Sequence, residues 1–218
     1  DLSPERVKWA VQTVLTKFGG DIVRFDTEYP LSPQIAFTSS SRSPFDQQKI
    51  QARIEEIQES SDILNSGELF DSNYILKPGR DDWQIYDEPK PGHEYIVAVD
   101  TAHGIEDGDF SCIQVLDRVG REQVAEYYAR TPPDVVAKQA RLVSLFYNNA
   151  LLIPEIDGPG LAVIKELLDS DYQNLFVRNI NASNWTQRYG FRTQSKGERD
   201  AIIAATAQAV RLETHVFN

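Results

Sequence analysis

The sequence predicts an α/β protein with a mixed sheet of strand order 3-2-1-4-5, helices on both faces, and a partly helical segment ahead of it. Three observations carry this. Five apolar runs of strand length lie between residues 94 and 178. The first three are joined by short polar turns, which favours an antiparallel meander. From there on, helical and strand patterns alternate, the signature of parallel crossover units with helices packed on a sheet.

Taken in order, Ser3 and Pro4 supply an N-cap and a first helical residue, and WAVQTVLTKF carries the apolar positions of a helix. EYPLSPQIAFTSSSRSPF (28–45) reads as extended or looping, because its serines and prolines favour turns. DQQKIQARIEEIQES then predicts a helix capped by Asp46, with Ile50, Ile54 and Ile57 on one face. Seven of the eleven prolines fall in residues 1–91, which are expected to form a linker-like region distinct from 92–218. EYIVAVD (94–100) is the first strand, FSCIQVLDR (110–118) the second and REQVAEYYAR (121–130) the third. A helix runs from Pro132-Pro133 to about Asn148, followed by the strand ALLIPEID (150–157). Gly158-Pro159-Gly160 makes a tight bend into a helix reaching Leu168, and NLFVR (174–178) is the fifth strand. Residues 179–196 read as a long loop or irregular hairpin, and 197–213 as a helix. Strands 1, 4 and 5 are expected to be parallel.

Composition narrows the function. The 218 residues include 41% hydrophobic and 25% charged side chains, ordinary for a globular protein with a real core. A single cysteine, Cys112, excludes an intrachain disulfide and a cysteine zinc cluster. His93, His103 and His215 are scattered, and no apolar run approaches the roughly 18 residues of a membrane span. The net charge of −11 argues against a simple nucleic-acid binder. Residues 178–211 depart from it, with Arg178, Arg188, Arg192, Lys196, Arg199 and Arg211 against Glu198 and Asp200.

Asp100 ends the most apolar strand, and Glu155 lies near the end of the strand expected beside it. Ligands bind in open α/β sheets at such strand ends. Two carboxylates held together repel unless a cation neutralises them, and oxygen ligands suit Mg²⁺ or Mn²⁺. Such ions orient a water and stabilise a leaving oxygen at a phosphodiester. Asp107, Asp109 and Asp157 are either further ligands or turn-forming side chains. The basic residues Arg188, Arg192, Lys196 and Arg199 are either a solvated face or phosphate contacts beside the acids. Trp185, Tyr189 and Phe191 are candidates for stacking on bases or for the core. Walker A, dinucleotide-binding and nucleophile-elbow patterns are absent.

Four ordered segments carry a resemblance. FDTEYPLSPQIAF (25–37), YIVAVDTAHGIEDGDFSCIQVLD (95–117), LLIPEIDGPGLAVIKEL (151–167) and YGFRTQSKGERDAII (189–203) resemble the large terminase subunit of tailed bacteriophages, the DNA-packaging motor-nuclease. Glu28, Tyr29, Pro30, Ala36 and Phe37 match the family's linker from the ATPase domain. The rest is similar to its nuclease domain. The resemblance implies a ribonuclease H-like fold for residues 92–218, with residues 1–91 as the ATPase-domain tail and linker. It implies a metal-dependent endonuclease acting on duplex DNA, with Asp100 and Glu155 as catalytic metal ligands and Asp109 as a further candidate ligand. Arg188, Arg192, Lys196 and Arg199 would contact DNA, and two Mg²⁺ or Mn²⁺ ions would be the cofactors.

The implied partners are double-stranded DNA, the portal protein, the small terminase subunit and the ATPase domain, with no membrane. The implied setting is the packaging motor at the procapsid, in the cytoplasm of an infected bacterium. A third aspartate of the family lies beyond the segment matching 189–203. Asp200 comes too early to fill that role, so the nuclease domain is expected to be truncated at its C-terminus. Two rival expectations remain: a catalytically incomplete DNA-binding or docking module, and a transposase- or resolvase-type nuclease, against which residues 25–37 argue.

Overall fold

The computed structural model describes residues 3–29, 43–59, 63–193 and 196–213. Helix α1 (Pro4–Lys17) starts as its cap predicts, with Ser3 Oγ accepting from Arg6 N at 3.3 Å. Gly19-Gly20 ends it, and a helix not foreseen from the sequence follows: α2 (Ile22–Glu28), capped by Asp21 onto Arg24 N at 3.0 Å. The two are joined by an aromatic cluster of Trp9, Phe18, Phe25 and Tyr29, with ring centroids 5.7 to 6.0 Å apart. Such a cluster cannot be read from periodicity. Helix α3 (Gln47–Glu59) is capped as expected, since Asp46 Oδ1 accepts from Gln48 N and Lys49 N at 3.1 and 3.2 Å. The extended stretch expected over 28–45 falls mostly on residues 30–42, outside the described residues.

The sheet has six strands in the order β1-β2-β5-β4-β3-β6. These are β1 (Asn65–Gly67), β2 (Trp83–Ile85), β3 (Tyr95–Asp100), β4 (Ser111–Asp117), β5 (Glu122–Ala129) and β6 (Leu151–Pro154). β3 and β6 pair in parallel and every other pair is antiparallel. The expected order 3-2-1-4 is thus present as β5-β4-β3-β6. The sheet also reaches back into the proline-rich region, because β2 pairs with β5 and carries β1 on its outer edge.

The fifth expected strand, 174–178, is reduced to single bridges, Leu175 with Leu152 and Val177 with Tyr189. Leu152 bonds both sides of it, through Asn174 O and Phe176 N at 2.9 Å each. Pro154, two residues on, has no N–H to extend the ladder. The chain instead doubles back, with Arg178 N and Asn179 N donating to Arg188 O at 2.8 and 3.1 Å.

Helices α4 (Pro133–Phe146) and α5 (Gly160–Asp169) pack on each other and on β3 and β6, and so share one face of the sheet. Against the expected cover on both faces, the second face is half-open. Along β3, Tyr95, Val97 and Val99 are buried, whereas Ile96 and Ala98 are half-buried and Asp100 is exposed. The remaining helices, α6 (Trp185–Arg188) and α7 (Lys196–Leu212), lie in the C-terminal part of the chain, and α7 contacts α3.

The core centres on Trp83, Ile113, Tyr127, Tyr147 and Leu152. Gln139 on α4 is buried within it. Its Oε1 accepts from Phe70 N at 2.7 Å and from Trp83 Nε1 at 3.0 Å, and its Nε2 donates to Phe70 O at 3.0 Å. Burial pushes the Asp117 carboxyl up. The N–H groups of Gly120 and Val119 and the ring of His93, 2.6 Å away, outweigh burial and hold it below its ordinary range.

Candidate active site

Strand register sets the site. Asp100, the last residue of β3, pairs with Cys112 on β4, and Cys112 with Tyr128 on β5. On the other side Val99 pairs with Pro154, and Glu155 N donates to Val99 O at 2.8 Å. The period of two then puts Ile96, Ala98 and Asp100 on the open face together with Ile153 and Glu155. The sequence expectation that the two strand-end acids are neighbours is met by this geometry: Asp100 and Glu155 stand side by side at the end of the one parallel pair. Their nearness is felt in titration. Burial raises the Glu155 carboxyl, the Thr193 hydroxyl lowers it, and the charges of Asp100 and Asp157 raise it, with a net upward shift.

Two close approaches hold Glu155 in place. After Asp157 the chain turns into α5, with Gly160 N donating to Asp157 O at 3.1 Å. A Cβ on Gly160 would lie 1.9 Å from Glu155 O, so only glycine lets the start of α5 pass this close to the strand end. On the other flank Phe191 bridges to Glu155, with Phe191 N donating to Pro154 O and Ile156 N to Phe191 O, each at 2.8 Å. The preceding Gly190 has φ +76°, and a Cβ there would meet Ile164 Cδ1 at 2.6 Å. This pairing brings Thr193 up to the acid, where its hydroxyl donates to Glu155 Oε1. Thr193 N donates to Asp157 Oδ2 at 3.3 Å. Sequence reasoning missed Thr193. It is 38 residues from Glu155, and only its place in the YGFRT segment hinted at it.

The other candidates divide. Asp109 lines the same cleft as Asp100, a hollow of about 420 Å³ whose walls include His103, Ile105, Phe110 and Pro159. Arg192 is exposed, its Nε 3.6 Å from Asp157 Oδ1, so it stands next to the acid pair. Arg188 is half-buried over the ring of Tyr189 at 5.6 Å, and its Nε is buried without a partner among the described residues. Lys196 and Arg199 are exposed on α7, away from the sheet contacts. Tyr189 packs on the core, and Trp185 and Phe191 are half-buried.

Among the described residues, no group of three or more His, Cys, Asp or Glu side chains is placed to hold a metal. Two adjacent carboxylates, one of them held up in its titration by burial and by the other, remain as the donor set. That set fits a hard divalent cation. Mg²⁺ keeps several waters and commonly takes only one or two carboxylates, with substrate phosphates completing its shell.

Neither a protein-family model nor a curated protein matches the sequence. Solved structures do match. The large terminase nuclease from thermophilic phage G20c, with bound magnesium, gives a TM-score of 0.51 at 16% identity, over 64% of this chain and 65% of that one. The cobalt-bound form gives the same values, and the zinc-bound form differs only in that 71% of its length is covered. This chain therefore spans just under two thirds of the magnesium-bound structure it matches. At this identity the likeness establishes the fold, a mixed α/β sheet of the ribonuclease H-like kind seen in terminase nucleases.

Proposed function

We propose that this protein is the metal-dependent endonuclease domain of a phage DNA-packaging terminase, hydrolysing phosphodiesters of duplex DNA. The observation that carries this reading is the Asp100–Glu155 pair at the end of parallel strands β3 and β6, on a sheet face that the described residues leave half-open. Asp100 and Glu155 would hold Mg²⁺ or Mn²⁺; Asp109, the further ligand expected from the sequence, lines the cleft of Asp100 without grouping with both acids. When bound, such an ion supplies positive charge for the attacking water and for the leaving oxygen.

The chain's own residues do the rest. Thr193 holds Glu155 by one oxygen and so leaves the other for a cation shared with Asp100. Arg192, exposed beside Asp157, offers a guanidinium to a phosphate. Lys196, Arg199 and Arg188 are proposed as weaker phosphate contacts. The reading takes residues 1–91 as linker and ATPase-domain tail, less the stretch 63–91 that the sheet takes in through β1 and β2. It also extends to the portal, the small terminase subunit and the ATPase domain as partners at the procapsid in the host cytoplasm. Among the described residues no helix is long and apolar enough to cross a membrane.

One observation favours a second reading, a docking or DNA-binding module with an incomplete centre: no third acid joins the pair among the described residues. Plasmid nicking in Mn²⁺ and Mg²⁺, with Asp100→Ala alongside, separates the two. Nicking by the parent and none by the variant is expected. Equal nicking by both would refute the assignment of Asp100. No nicking by either, together with no heat of Mn²⁺ binding by calorimetry, would favour the docking module.

A further inference from the structure

Beyond the acid pair, the open face of the sheet carries a three-layer stack. The Phe110 and Tyr128 rings lie 4.3 Å apart and within 7° of parallel. The Arg130 guanidinium covers the other side of Phe110, 4.2 Å from its centroid. Arg130 is fixed there by its Nε, which donates to Gly108 O at 2.8 Å. Both rings remain in water, Tyr128 at 57% exposure and Phe110 at 37%. Large aromatic surface is costly to leave in water, and a preformed parallel stack on a surface strand is a ready π platform.

Its position gives it meaning. Tyr128, Cys112 and Asp100 occupy one row across the sheet. With strands about 5 Å apart, Tyr128 stands about 10 Å from the acid. Phe110 lines the same cleft as Asp100. The stack is thus continuous with the candidate active site, and Arg130 adds a cation at its rim.

We propose that this stack is a subsite for an unpaired nucleotide of the DNA strand that enters the cleft. The proposal deepens the nuclease reading and rests on it for the identity of the ligand. The choice of an unpaired nucleotide follows from the chemistry of the surface. A base inside a duplex has both faces covered by its neighbours, and only an unstacked base can lay a face on the exposed side of Tyr128. The guanidinium of Arg130 suits the adjoining phosphate. The scissile strand would therefore be held with an open, frayed or overhanging nucleotide beside the acids rather than as uninterrupted duplex.

The test is fluorescence anisotropy of a labelled oligothymidylate, and separately of a labelled blunt duplex, with the full chain at low salt in EDTA, so that cleavage plays no part. Tyr128→Ala is expected to weaken oligothymidylate binding about tenfold. Tyr128→Phe, which keeps the ring, is expected to bind like the parent. Neither variant should change duplex binding, and both should remain folded in the binding buffer by urea titration, Tyr128→Ala with a somewhat lower midpoint from the lost ring pair. Failure of the parent to bind the oligonucleotide, equal binding by parent and Tyr128→Ala, or an equal loss on the duplex would overturn the proposal. A Tyr128-dependent oligonucleotide site in a chain that nicks no plasmid would uphold the stack and refute the nuclease reading. Nicking with no such site would do the reverse.

Discussion

Gly160→Ala tests the architecture of the site most directly. The added Cβ would sit 1.9 Å from the carbonyl oxygen of Glu155 and 2.9 Å from its carbonyl carbon. Carbon and oxygen in real contacts stay about 3 Å or more apart, so backbone atoms on two elements must separate by roughly 1 Å. Neither partner is a flexible side-chain tip. One is the first residue of α5 and the other follows β6, pinned by its hydrogen bond to Val99 and its bridge to Phe191.

Overpacking that shifts backbone costs about 1–3 kcal/mol, and a clash of this depth belongs at the upper end. Misplacement of a reacting group by about 1 Å costs on the order of 100-fold in rate. Gly160→Ala should therefore lower the urea unfolding free energy by about 3 kcal/mol and cut Mn²⁺-dependent nicking about 100-fold. The nicking would be measured without denaturant, well below the unfolding midpoint. A variant within about 0.5 kcal/mol of the parent, with undiminished nicking, would show that α5 does not clamp the strand end as described.

Three further outcomes are expected. Thr193→Val removes the hydroxyl that lowers the Glu155 carboxyl, so the acidic limb of the nicking–pH profile should move to higher pH. The hydrogen bond is only half-buried, so the rate loss on that limb should be about tenfold, near the low end for a bond to a charged group. A superimposable profile would remove Thr193 from its positioning role. Asp100→Asn should raise metal-free stability at neutral pH. The Glu155 carboxyl is raised in the fold, so its ionised form is destabilising above that raised value. Removing the neighbouring charge relieves this, and the gain should vanish below about pH 4, where Glu155 is protonated in both states. Asp117→Asn has the opposite sign. The Asp117 carboxyl is lowered in the fold, so its contribution is present above about pH 4 and is lost as pH falls through the folded value. A loss of about 1–2 kcal/mol at pH 7 that shrinks in acid is expected in urea titrations. A loss independent of pH would refute it.

What the sequence makes legible is what local pattern controls. The caps at Ser3 and Asp46, the alternating run 95–100 and the meander through 129 all follow from short-range rules, and they locate Asp100 at a strand end. The neighbouring position of Glu155 follows from parallel topology. What escapes is whatever depends on contact across the chain. β1 and β2 are three residues each, too short for a period; β2 is held by pairing with β5, and β1 by pairing with β2, rather than by their own pattern. α2 exists because four aromatic rings meet. Thr193 acquires its role from the Phe191 bridge. The basic residues of 178–211 look like one patch in sequence. In the structure Arg178 bonds the carbonyls of Thr186 and Gln187, Arg188 lies over Tyr189, and Arg192 stands beside Asp157 next to the acids.

The Gln139 side chain, which joins α4 to Phe70 and Trp83, has a consequence for how the chain can be divided. β5 is eight residues long and would be an open edge if the chain began at residue 92. Its unpaired N–H and C=O groups would then template pairing with another copy, and Gln139 would be left as a buried amide without partners. The short hairpin-like cover from residues 63–91 is thus the molecule's own guard against strand-to-strand association. Shortened versions that dropped it would expose the length of β5 as a pairing edge.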